Sequence, residues 1–150
     1  MQSETIKSFL ETKNIAVIGV SSKGKGFGAI AYKHLKQNGY NTFPVNINGG
    51  NFENEHLYKS IKDIKNPLDG IITVVPPKVT EMIVEEANQL GIKKIWMQQG
   101  SESQTAINFC NANGIDVVYG ECIMMFSEPV KSMHSFHRWL WKLLGKYPSL

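Results

Sequence analysis

Cysteine is scarce in this sequence: Cys110 and Cys122 are the only two in 150 residues. They form no CxxC pair and no Cys/His ligand spacing, which argues against a disulfide framework or a structural zinc and fits a reducing cytoplasm. No apolar run approaches the roughly 18 residues that a membrane span needs. The opening stretch MQSETIKSFLETKN is polar and charged, without the apolar centre of a signal peptide. Excess charge is also small. A formal net charge of +3 is too little to argue for nucleic acid, though it suits an anionic small ligand. These absences predict a soluble, cytoplasmic protein with no integral membrane association.

What is present suits one α/β domain. The length is that of a single domain, and 42% hydrophobic residues suffice for a core. Short β-branched runs predict strands at Ile15–Val20, Asn41–Asn46, Gly70–Val75, Lys94–Gln98 and Ile115–Tyr119. Continuous apolar runs point to strands covered on both faces, as in a parallel sheet. Helical spacing over Lys78–Leu90 places Val79, Met82, Ile83, Ala87 and Leu90 on one stripe. A second helix is expected over Ser103–Asn113, with Ser101 and Gln104 as its capping box. Gly39, Gly91 and Gly114 each close a helical pattern before a strand, a rhythm that predicts βαβ units. The expected architecture is a single-domain, Rossmann-like open parallel sheet of about five strands in the order 3-2-1-4-5, with helices on both faces. An N-terminal helix (1–13) precedes the core (14–125), and a C-terminal amphipathic helix and tail (126–150) follow. The polar, Gly-rich segment Asn46–Glu55 reads as a long loop on the ligand side.

The stretch NIAVIGVSSKGKGFGAI, residues 14–30, runs from a strand through a glycine, serine and lysine loop into a helix. Such a loop lies at the carboxyl end of a strand, where open α/β sheets bind ligands, and the helix start offers free N–H groups to an anion. Gly19, Gly24 and Lys25 fit a P-loop, but Gly26 replaces the hydroxyl that holds magnesium. The strand ending GIITVVPP also lacks the Asp of a metal site. For the dinucleotide fingerprint, Gly24, Gly26 and Ala29 match in a poor register. Strand two ends in Pro44, Val45 and Asn46, with no carboxylate for a ribose diol. NAD is weakened; NADP stays open. A third version needs neither metal nor hydride chemistry. Ser21 and Ser22 donate to a diphosphate, Lys23 and Lys25 meet outer phosphates, and the backbone of Phe27 and Gly28 approaches closely. Coenzyme A, with its several phosphate groups and long neutral arm, has a fitting shape.

Here the chain resembles the small bacterial CoA-binding proteins, whose fold is similar to the CoA-binding domain of the succinyl-CoA synthetase α subunit. IAVIGVSS, FG, GYNTFPVN, VVPP, IWMQQG and ECIMM carry the resemblance, with the tail FHRWLWKLLGKYP similar to some relatives, in that order over about residues 13 to 148. It implies phosphate contacts at Gly19, Ser21, Ser22, Phe27 and Gly28. It also implies an adenosine pocket shaped by Pro44, Val45 and Asn46, a wall of Val75, Pro76 and Pro77, and a pantetheine side at Gln98, Gln99 and Gly100. Relatives commonly carry a basic residue just before the cysteine of the CIM segment; here Glu121 stands there. The implied ligand is coenzyme A or an acyl-CoA; the resemblance supplies no reaction, and the residues themselves point to no catalytic set and no metal.

Other readings compete. Lys23 and Lys25 serve equally as solvated loop charges, and Pro76–Pro77 as a strand breaker. An enzyme, either an NADP-dependent oxidoreductase or a CoA-linked transferase, would need a proton donor or nucleophile. His34 and Cys122 are the candidates, though both read more simply as packing residues. His134 and His137 are three apart on the last helix, without a visible third metal ligand. That helix, rich in Trp and Phe, is expected to pack on the sheet. A homo-oligomer or protein-partner surface is its second use, which makes a degenerate nucleotide fold serving as an interaction module the third reading.

Overall fold

The computed structural model describes residues 2–126. The expected C-terminal helix, with His134 and His137, lies outside the described residues. Along the chain run α1 (Gln2–Leu10), β1 (Asn14–Ile18), α2 (Phe27–Gln37), β2 (Asn41–Val45), β3 (Asn51–Phe52), β4 (Glu55–His56), β5 (Gly70–Thr73), α3 (Pro77–Gln89), β6 (Lys94–Gln98), α4 (Gln104–Ala112) and β7 (Asp116–Glu121). Short 3-10 turns at Ile61–Asp63 and Ile123–Met125 complete the series. Five strands form one parallel sheet in the order β2-β1-β5-β6-β7. The fold is the Rossmann-like open α/β sheet expected from the sequence.

Alternation along the strands sends side chains to two cores. Ala16, Ile18, Ile71, Ile95 and Met97 meet α3 and α4 on one face. Ile15, Val17, Ile72, Trp96 and Val118 meet α1 and α2 on the other. Trp96 anchors the second core: it is fully buried, Phe9 stacks edge-on at 5.4 Å, and its Nε1–H donates to the Glu121 carbonyl at 3.1 Å. Burying an indole without wasting its donor gives the aromatic its full packing value.

The strand order departs from expectation. Counted among the five sheet strands in chain order, it is 2-1-3-4-5 and not 3-2-1-4-5. The outer edge of β2 is taken by an isolated bridge to Tyr58, whose N–H donates to the Pro44 carbonyl at 2.9 Å and whose carbonyl accepts the Asn46 N–H at 2.8 Å, and Pro44 has no N–H to extend that pairing into a full strand. β5 instead pairs directly with β1, and all four of its residues are buried.

Three local expectations also shift. Ser103, not Ser101, caps α4, its Oγ accepting the Ala106 N–H. The buried face of α3 is Thr80, Val84 and Ala87, which leaves Val79, Met82 and Leu90 exposed. The segment Asn46–Glu55 is no plain loop: it carries the β3–β4 hairpin, turning through Glu53 and Asn54 with φ of 49° and 66°.

Asp69 ties the start of β1 to β5. Its Oδ2 accepts the N–H groups of Asn14 (2.9 Å) and Lys13 (3.0 Å), which hold its carboxyl below the ordinary value of 3.8. Because folding lowers this pKa, the bond contributes above the unfolded-state value and is lost as pH falls through the folded one. Asp69→Asn should therefore lower stability at pH 7, and its deficit against the wild type should shrink once the pH drops below about 3.8. Urea denaturation at both pH values checks this.

Candidate functional site

The order 2-1-3-4-5 reverses direction beside β1, so a crevice opens outside the carboxyl ends of β1 and β5. Backbone there meets backbone. Gly19 follows β1 with φ +109°, and a methyl group on it would lie 2.0 Å from the Val74 carbonyl oxygen beyond β5. A methyl on Gly28, in the first turn of α2, would lie 2.1 Å from the Gly19 carbonyl oxygen. Only glycine at both positions lets α2 begin directly against the strand end. The helix cap is Gly26, which has no side chain to satisfy the first-turn donors, so these N–H groups face the loop uncapped.

The loop has its own scaffold. Gly19 and Val20 donate their N–H groups to the Val45 carbonyl at 2.9 and 3.1 Å. Asn46 Nδ2 donates to the Val20 carbonyl at 2.9 Å, while its Oδ1 accepts the Asn48 N–H at 2.8 Å. Ser21 Oγ accepts the Lys23 N–H at 3.2 Å. Above it sits the β3–β4 hairpin. Phe52 is buried against Gly24, where a methyl would come within 2.8 Å of its ring, and stacks edge-on with Tyr32 at 6.1 Å. Ion pairs Lys33–Glu53 (2.6 Å) and Lys36–Glu55 (2.7 Å) clip the hairpin to α2.

Beside this loop lies a cleft of about 280 Å³ with mainly apolar walls. Ile18 and Gly19 form its floor. Val45 and Ile47 line one wall, and Val79, Met82 and Ile83 of α3 line the other. Asn46, Lys59, Ser60 and Glu86 add the polar groups. Ser60 Oγ–H donates to a Glu86 carboxylate oxygen.

Among the residues singled out from sequence, Gly19, Val45, Asn46 and Val75 meet in this cleft. Ser21, Ser22, Lys23, Lys25, Phe27 and Gly28 build the adjoining loop and helix start; Ser22 and both lysines are exposed. Val75 also borders a shallow hollow with Pro76, Gln99 and Gly100. Pro77 opens α3 at the position where a missing N–H costs nothing. Pro44 lies apart, buried beside a polar hollow on the outer edge of β2. Gln98 is buried too, and its Oε1 accepts the Ile123 N–H at 3.1 Å. His34 rests with Nε2 2.9 Å from Asn38 Nδ2, and neither it nor Cys122 lines the cleft. Burial pushes the Cys110 thiol up to about 11, which keeps it protonated. Among the described residues no cluster of His, Cys, Asp or Glu could hold a metal ion, and no helix is long and apolar enough to cross a membrane.

Sequence reasoning missed Lys59, Ser60 and Glu86 as well as the exposed faces of Val79 and Met82. The available signal was the breadth of the apolar pattern in α3, which is more than one buried stripe requires.

The model of a protein family described as "CoA binding domain" matches residues 13–128. Over 97 residues the chain is 34% identical to the acetate–CoA ligase [ADP-forming] I subunit alpha of Pyrococcus furiosus, a match that covers 61% of this chain and 21% of that subunit. The chain thus spans about a fifth of that relative's length. A solved conserved hypothetical protein from Pyrococcus furiosus superposes with a TM-score of 0.70 at 36% identity, covering 75% of this chain and 97% of its own. A hypothetical protein from Pyrococcus horikoshii OT3 gives 0.75 at 29% identity, covering 83% and 88%.

Gly28→Ala should destabilise the protein by about 3 kcal/mol through overpacking against the backbone of Gly19. The measurement is the urea midpoint at unchanged slope. A change within about 0.5 kcal/mol, the usual range for a surface substitution, would contradict the contact.

Proposed function

The chain belongs to the CoA-binding domain family, and from that premise we propose that it binds coenzyme A or an acyl-CoA across the crevice between β1 and β5. The observation that carries this reading is the Gly19–Gly28 contact, which seats an uncapped helix start immediately beside an apolar cleft. An adenine suits the cleft, where Val45 and Ile47 face α3. The diphosphate lies over Ser21, Ser22 and the first N–H groups of α2, with Lys23 and Lys25 close by. The neutral pantetheine arm runs past Val75 and Pro76 toward Gln99 and Gly100. A volume of about 280 Å³ holds a base and part of a ribose, so the remaining ligand lies in the open crevice.

Binding without chemistry is the role we assign. The ligase activity in the relative's name belongs to a subunit of which this chain matches about a fifth. The proton-donor and nucleophile candidates His34 and Cys122 do not line the cleft.

Coenzyme A at a hundredfold excess over its Kd should stabilise the protein by about 2.7 kcal/mol. NAD, NADP and ATP should stabilise it far less. Differential scanning fluorimetry with all four compounds decides the matter: a shift with NADP or NAD and none with coenzyme A would refute the reading.

A further inference from the structure

Resting on the reading of the cleft as a coenzyme A site, we propose that Lys59 recognises the phosphate on the ribose 3′ position and so makes the protein select coenzyme A over its dephospho form. The polar groups that line the cleft are nearly all engaged. Both ends of the Asn46 amide hold backbone. Ser60 Oγ donates to Glu86 and accepts the Lys62 N–H at 3.1 Å. Glu86 is an acceptor and an anion. Among the described residues that line the cleft, Lys59 is the one cation, and it makes no ion pair or hydrogen bond with the described residues. Lys33 and Lys36, by contrast, are neutralised by Glu53 and Glu55.

Its position suits the ribose. The aliphatic stem of Lys59 lies over Gly49, where a methyl group would approach Cε to 2.9 Å. The next residue, Gly50, abuts the phosphate loop: a methyl there would sit 3.4 Å from Ser22 Cβ. Lys59 therefore occupies the seam between the apolar cleft and the phosphate loop. A sugar joining a base in the cleft to a diphosphate on the loop crosses that seam. A monoester phosphate on the sugar is a compact anion, and a lysine ammonium is a compact point charge on a stem free to reach it. ADP and NAD lack this group.

Isothermal titration of the full chain with coenzyme A and with 3′-dephospho-coenzyme A tests the assignment. The wild type should prefer coenzyme A by about tenfold or more, the size of a charge-assisted hydrogen bond. Lys59→Ala should bring the two ligands to near-equal affinity, with the loss falling mainly on coenzyme A. The double variant Lys23→Ala/Lys25→Ala should weaken both ligands by a common factor. Equal affinities in the wild type would overturn the assignment, as would preference surviving in Lys59→Ala or vanishing in the double variant; in each case the coenzyme A reading stands. If the wild type binds neither compound, the coenzyme A reading itself fails and this assignment falls with it.

Discussion

A contact between two stretches of bare backbone organises this protein's ligand side. The carbonyl of Gly19 lies where any side chain on Gly28 would have to go, and the Val74 carbonyl lies where any side chain on Gly19 would go. Steric exclusion by main-chain atoms cannot be relieved by rotating a side chain, so the arrangement tolerates little variation. It draws the start of α2 against the end of β1, at the place where the sheet's connections reverse. Uncapped N–H donors and an apolar cleft then share one border.

The surroundings hold that border in shape. Asn46 and the Val45 carbonyl fix the loop from below. Phe52 fixes it from above, with the hairpin clipped to α2 by two surface ion pairs. Each pair is worth at most about 1 kcal/mol in exposed positions, so Phe52 burial carries most of the hairpin's attachment. Among the described residues Lys59, at the seam between cleft and loop, has no ion-pair partner, which is the basis for the anionic guest proposed there.

Much of this was legible in the sequence, and the failures have physical causes. Continuous apolar runs identified the five sheet strands because strands buried on both faces need them. The glycines before β2, β6 and β7 all adopt positive φ, as their place after a helix predicts. Period alone gives a helix's stripe but not its phase, so α3 was rotated toward Val79 and Met82, which in fact border the cleft. The hairpin escaped notice because its turn is Glu53–Asn54, without the glycine that marks most such turns. Strand order is a pairing property; Pro44 bears on it only once the bridge to Tyr58 is known. Ser101 looks like a cap by spacing, yet its hydroxyl is spent on the buried Thr73 and Thr80 (2.9 and 2.8 Å), which lie more than twenty residues before it. Lys59 belongs to no local motif; its place follows from its stem lying over Gly49, next to the loop that Gly50 abuts.

The central claim is that a diphosphate is held by main-chain N–H groups of the loop and of the first turn of α2. Amide chemical-shift mapping of isotope-labelled protein titrated with coenzyme A tests it most directly. The account predicts the largest shifts at Ser21–Ala29, with smaller ones along Val45–Ile47 and the cleft face of α3. Saturable binding that leaves Ser21–Ala29 unmoved while shifting amides elsewhere would contradict it.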